Sequence, residues 1–94
     1  MPSFEWNIAK ARANFAKHRV YFEDAVTAFS DPLSLDIPDP AHSSPLDERF
    51  VMMGRSGDGQ LLVVVHSDVD ELVRIISARL ATRRERVVYE EGAT

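Results

Sequence analysis

Thirteen residues, RIISARLATRRER (Arg74 to Arg86), carry five of the chain's arginines: Arg74, Arg79, Arg83, Arg84 and Arg86. The stretch opens as an apolar strand and closes as the start of a helix. Arg83 and Arg84 fall in the first helical turn, where the macrodipole already places positive charge, at a cost of a few tenths of a kcal/mol each unless an anion is near. Free N–H groups at a helix start bind anions, and Arg79 at the strand end reaches the same point. This pattern points to phosphate binding. The competing account pairs these arginines with the chain's own acids. Seven carboxylates lie between residues 21 and 48, and Glu90 and Glu91 are close by. Strand parity sets Arg74 and Arg79 on opposite faces unless a bulge intervenes. Arg79 is then the site candidate, and Arg74 reads as structural.

Histidine supplies proton transfer near neutrality. His66 ends the strand LLVVVHS, where it serves either as an acid or base or as a structural residue. His18, in KHR, reads as a basic corner, and His42 lies in an acidic loop. No metal-ligand spacing, HExxH pattern, Ser-His-Asp motif or phosphate-binding loop is present, so no metal or cofactor is expected. GRSGDG reads as a hairpin turn. Phe4, Trp6 and Tyr89 are expected to pack in the core, although aromatic rings also stack on bases.

The elements that must position these groups follow from periodicity. Asn7 caps a helix over residues 7–17, with Ile8, Ala11 and Phe15 on one stripe. Phe22, Ala25, Val26 and Phe29 mark a second helix that ends at Asp31-Pro32. Leu33–Ile37 alternates as a short strand, and residues 38–48 read as loop. RFVMMGRS and QLLVVVHS flank GDG as a hairpin, and ELVRIISARLA follows the acidic turn DVDE as a further strand. Thr82 and Glu85 form a capping box for a helix over residues 83–91, stopped by Gly92. The order predicts an α+β domain: two N-terminal helices, a three- to four-stranded antiparallel sheet and a C-terminal helix, in a single domain over residues 1–94.

The chain has 15 acidic and 11 basic residues, a net charge of −4, and no cysteine. Residues 1–20 carry +3, residues 21–48 carry −7 and the remainder is neutral. This excludes a uniformly basic nucleic-acid binder but not a local basic patch. The lack of cysteine fits a reducing cytoplasm. The longest apolar run, Leu61–Val65, is far too short for a membrane span, and the first ten residues carry no signal-peptide core.

The blocks FEWNIAKARANFAKHRVYFEDAVTAFSDP, ERF, GRS, LLVVVHS and RIISARLATRRERVVYE together resemble the BrnT ribonuclease toxins of bacterial type II toxin–antitoxin modules. The resemblance spans nearly the whole chain and implies a fold similar to RelE. It further implies metal-independent RNA cleavage, neutralisation by a cognate antitoxin protein, and contact with DNA only through that antitoxin. The matching motif positions are Lys17, His18, Glu48, Arg49, His66, Arg74, Arg79, Thr82 and Arg86. The resemblance assigns catalysis to Arg79 for phosphate, His66 for proton transfer, and Lys17 and Arg49 as supporting charges. Arg83, Arg84, Arg55 and His18 complete the expected RNA contacts. Three positions depart from the pattern: Arg19 replaces a usual glycine, Leu80 a frequent lysine, and DVDE a turn that often carries a base. The alternative is a toxin-like binding module that has lost catalysis.

Overall fold

The computed structural model describes residues 2–38 and 48–92. The element order is β1 (Ser3–Glu5), α1 (Ile8–His18), α2 (Phe22–Ala28), β2 (Leu35–Pro38), β3 (Arg49–Arg55), β4 (Leu61–Val69), β5 (Leu72–Leu80) and α3 (Arg83–Gly92). The strands form one five-stranded sheet in the order β1-β5-β4-β3-β2. Four strands are antiparallel as expected, but β1 pairs parallel to β5 at the edge, so the sheet is mixed. Three residues are too few to show an alternation. Tertiary contacts decide this strand: Phe4 packs edge-on against Phe29 at 5.1 Å, and Glu5 meets Arg74 across the pair.

The helices start and stop where side chains satisfy their free backbone groups. The Lys10 amide donates to Asn7 Oδ1 at the head of α1 (3.1 Å). Thr82 and Glu85 cap α3 reciprocally, Thr82 N to Glu85 Oε1 at 2.9 Å and Glu85 N to Thr82 Oγ1 at 3.2 Å. β2 begins two residues later than expected because Asp31 Oδ1 accepts the Leu33 amide (2.9 Å), which holds the chain in a turn. β4 runs through Asp68 and Val69, so the DVDE turn shrinks to Asp70 and Glu71. Asp70 adopts φ 56°, which aspartate tolerates. The expected loop lies, from residue 39 to 47, outside the described residues, and His42 with it.

α1 and α2 cover one face of the sheet. Val20, Phe22, Ala25, Ala28, Met52, Leu62, Val64, Ile75 and Ala78 are buried there. Gly54 allows this close packing: a Cβ would stand 2.8 Å from the Ala28 carbonyl oxygen. Ile8, expected on the apolar stripe of α1, is exposed, and Asn14 is that helix's buried residue. The opposite face is covered at one end by α3, where Tyr89 joins Met53, Leu61 and Val63. Among the described residues, no helix covers the rest of that face.

Candidate functional site

One irregularity in β5 organises the open face. Val65 pairs with Ser77 but His66 pairs with Ile75, which leaves Ile76 as an extra residue. Such a bulge reverses the side-chain parity beyond it. Ile75 and Ala78 consequently both enter the helix-side core although they are three residues apart. Arg74, opposite Ser67, and Arg79, opposite Val63, then share the other face, which corrects the expectation that they diverge. Arg49, opposite Ser67, and Arg55, opposite Leu61, project to this same face from β3. Four arginines from two strands thus line one sheet surface.

Local carboxylates hold Arg79 and Arg74. Arg79 Nη1 and Nη2 donate to Glu85 Oε1 and Oε2 at 2.7 and 2.9 Å. These bonds hold the Glu85 carboxyl at about 2, against the opposing effect of burial and with help from the Thr82 amide. The same bonds raise the Arg79 guanidinium above its usual value. Arg74 donates to Glu5 Oε1 from Nε (3.0 Å) and Nη2 (2.9 Å). The pairing account therefore applies to Arg79 and Arg74, with partners other than those the sequence offered. Arg83, Arg84 and Arg86 are exposed on α3 and have no carboxylate partner among the described residues. Arg55 stacks 5.5 Å above the Tyr89 ring and donates to the Gly59 carbonyl at 3.1 Å.

His66 sits elsewhere. It is 1% exposed on the helix side, between the rings of Phe29 and Phe50. Its Nδ1 lies 2.7 Å from Asp68 Oδ1 and its Nε2 3.2 Å from Asp36 Oδ1. It points with Leu62 and Val64, as strand parity predicts, to the face opposite the arginines. Lys17 and His18 end α1 beside the β5 edge. They line a depression of about 260 Å³ with Lys10, Asn14, Ile76 and Ser77. Leu80 pairs with Leu62 and so lies on the helix side, where a lysine would add no charge to the arginine face.

Asn14, Asp31 and Tyr89 hold the site together, and Tyr89 packs in the core as expected. Asn14 Nδ2 donates to the carbonyls of Ala78 (2.8 Å) and Val20 (3.0 Å), and its Oδ1 accepts the Ala78 amide (3.0 Å). It occupies the β5 edge where β1 no longer pairs. Asp31 Oδ2 accepts the Arg55 amide (2.8 Å) and the Tyr89 hydroxyl (2.6 Å), joining α2, β3 and α3. Burial raises the Asp31 carboxyl, but bonds from Arg55, Tyr89 and Leu33 outweigh it and set the net shift downward. Tyr89 is raised by its bond to Asp31 and by burial. A polar residue next to an apolar helical stripe is the signal that marks Asn14; Asp31 was legible only as a helix stop and Tyr89 as a core aromatic, not as hydrogen-bond partners.

Among the described residues, three helices and a five-stranded mixed sheet with an arginine-lined face define a small α+β protein. The family model for the ribonuclease toxin BrnT of type II toxin–antitoxin systems matches residues 6–85, and the chain belongs to that family. Its fold is similar to the crystal structure of the Brucella abortus ribonuclease toxin BrnT: TM-score 0.67, 22% identity, covering 88% of this chain and 100% of that one. No curated protein matches the chain in sequence. Family membership implies an antitoxin partner. No helix among the described residues is long and apolar enough to cross a membrane.

Proposed function

We propose that this chain is a metal-independent endoribonuclease that holds single-stranded RNA across the open sheet face. The observation that carries this reading is the bulge at Ile76, which turns Arg74 onto the face that already carries Arg79 from β5 and Arg49 and Arg55 from β3. Guanidinium groups match phosphate geometry and stabilise charge developing at a scissile phosphate. RNA carries its own nucleophile in the 2′-hydroxyl, so the reaction needs no metal-activated water. Arg79 and Arg49 contact the backbone near the scissile bond, Arg74 and Arg55 extend the surface, and Arg83 and Arg84 add exposed charge at the α3 start. Lys17 adds charge from the β5 edge. On this reading the fold is RelE-like with an added parallel edge strand, and the protein works in the cytoplasm until its antitoxin covers it.

The test uses purified, antitoxin-free protein and labelled single-stranded RNA in EDTA. Cleavage is expected, and Arg79→Ala is expected to lower it by about 10²-fold, the scale of one lost charge-stabilising donor. Intact RNA after prolonged incubation overturns the enzymatic reading. The Arg79–Glu85 and Arg74–Glu5 pairs favour a second reading, a non-catalytic binding module whose central charges are already neutralised. Harmless expression in a bacterial host without antitoxin supports the module; growth arrest supports the toxin.

A further inference from the structure

Three depressions meet at the β5 edge, and Lys10 and Ile76 line all of them. The first, about 390 Å³, holds Arg49, Ser67 and Arg74 on the open face. The second, about 300 Å³, holds Trp6 and Asn7 beside Arg74. The third holds Lys17 and His18 with Ser77. Taken as one groove, they run from the arginine face past the bulge to the last turn of α1. The groove exists because β1 stops pairing after Arg74 and the bulge displaces Ile76. Bulges recur beside active sites because they re-aim side chains. Of the two histidines among the described residues, His66 is sealed between two carboxylates and two rings, while His18 is half-buried on the groove wall.

Building on the ribonuclease reading, we propose that His18 is the catalytic base, that Lys17 is its acid partner, and that the RNA strand crosses the β5 edge at Ile76. Neutral His18 accepts the 2′-hydroxyl proton as O2′ attacks the adjacent phosphorus. The P–O2′ bond forms and the P–O5′ bond breaks. The Lys17 ammonium supplies the proton that the departing 5′-oxygen takes. The products are a 2′,3′-cyclic phosphate and a 5′-hydroxyl, and proton exchange through water resets both side chains. Lys10 and Lys17 are the charged groups lining the depression with His18, and Ser77 is its polar neighbour on β5.

The experiment measures single-turnover cleavage and RNA affinity for wild type, His18→Ala, His18→Gln and His66→Gln. Affinity is read with an RNA blocked by 2′-deoxy substitution. His18→Ala and His18→Gln are expected to cleave at least about 10²-fold more slowly while affinity stays within threefold. Added imidazole restores part of the rate to His18→Ala but not to His66→Gln, an outcome that impaired folding does not produce. The cleavage rate of wild type rises with pH through a limb that His18→Gln lacks. Wild-type cleavage with His18 variants at full rate overturns this assignment and leaves the ribonuclease reading standing. Failure of imidazole rescue together with an unchanged pH profile also overturns it. Absence of cleavage by wild type overturns both.

Discussion

At position 19 the chain leaves α1 through the left-handed region (φ 58°, ψ 31°), with the Arg19 amide donating to the Phe15 carbonyl at 2.8 Å. Glycine takes this conformation most readily at a helix end, which explains why a glycine fits the family pattern here. A side chain in that region costs about 1 kcal/mol. The guanidinium lies over the Phe15 ring at 5.4 Å and offsets roughly half of that. Arg19→Gly is therefore expected to raise the melting temperature by about 2–4 °C for a domain of this size; a lower value would show the ring contact outweighing the strain. Glu85 gives a pH prediction of definite sign. Its carboxyl titrates at about 2 in the folded chain against 4.5 without partners, so it stabilises the fold above pH 4.5 and loses that contribution as pH falls toward 2. The Arg79 and Glu85 side chains are 39% and 30% exposed, so solvent screening leaves roughly 1–2 kcal/mol. Urea unfolding between pH 6 and 2 should show this decline in wild type and a flatter profile in Glu85→Gln. Equal slopes would remove the pair as its source.

Among the elements, α1 stands out because one amide side chain substitutes for a missing strand. Asn14 satisfies both backbone groups of Ala78 and the Val20 carbonyl, so the β5 edge is closed without a strand partner. Asn14→Leu leaves three buried polar groups without it and is expected to lose roughly 2–4 kcal/mol in denaturant unfolding. The Ala78 amide should then exchange hydrogen faster. A loss below about 1 kcal/mol would show water taking over these bonds. The helix ends and the long strands were legible in the chain, because Asn7, Thr82 and Glu85 cap visibly and the apolar runs of β3, β4 and β5 are continuous. β1 was not legible, since three residues carry no period and its partner lies about seventy positions away. The bulge left no sign either: Ile76 sits in the run LVRIISARL without a glycine or turn residue. Parity counted through it assigned Arg74 and Arg79 to opposite faces. Residue types thus revealed the arginines, the histidines and Lys17, while their grouping depended on one unpaired residue.

For the whole molecule, net charge and local charge pull in opposite directions. The chain is −4 overall, and the acids Glu23 and Asp24 lie on α2, on the side of the sheet away from the arginine face. On the ribonuclease reading, RNA is held by the arginine face rather than by net charge, so binding is set by a small number of phosphate contacts. Single-stranded nucleic acid loses about 0.7 of logarithmic slope per phosphate neutralised. Three to five contacts on this face predict that log affinity falls with log salt at a slope of about −2 to −4. Arg83 and Arg84 stand exposed beyond the ion-paired Arg79, and replacing both with alanine should reduce the slope's magnitude by about 1.4. The rate of cleavage once RNA is saturating should change less than threefold, because both residues stand outside the groove that His18 lines. Neutralising Glu23 and Asp24 should leave the slope unchanged within error, since a screened charge on the far side reaches the bound strand only weakly. A wild-type slope near zero would mean that the strand is not held through its phosphates. A slope that falls as much for the α2 pair as for the α3 pair would mean that net charge, and not the arginine face, governs binding.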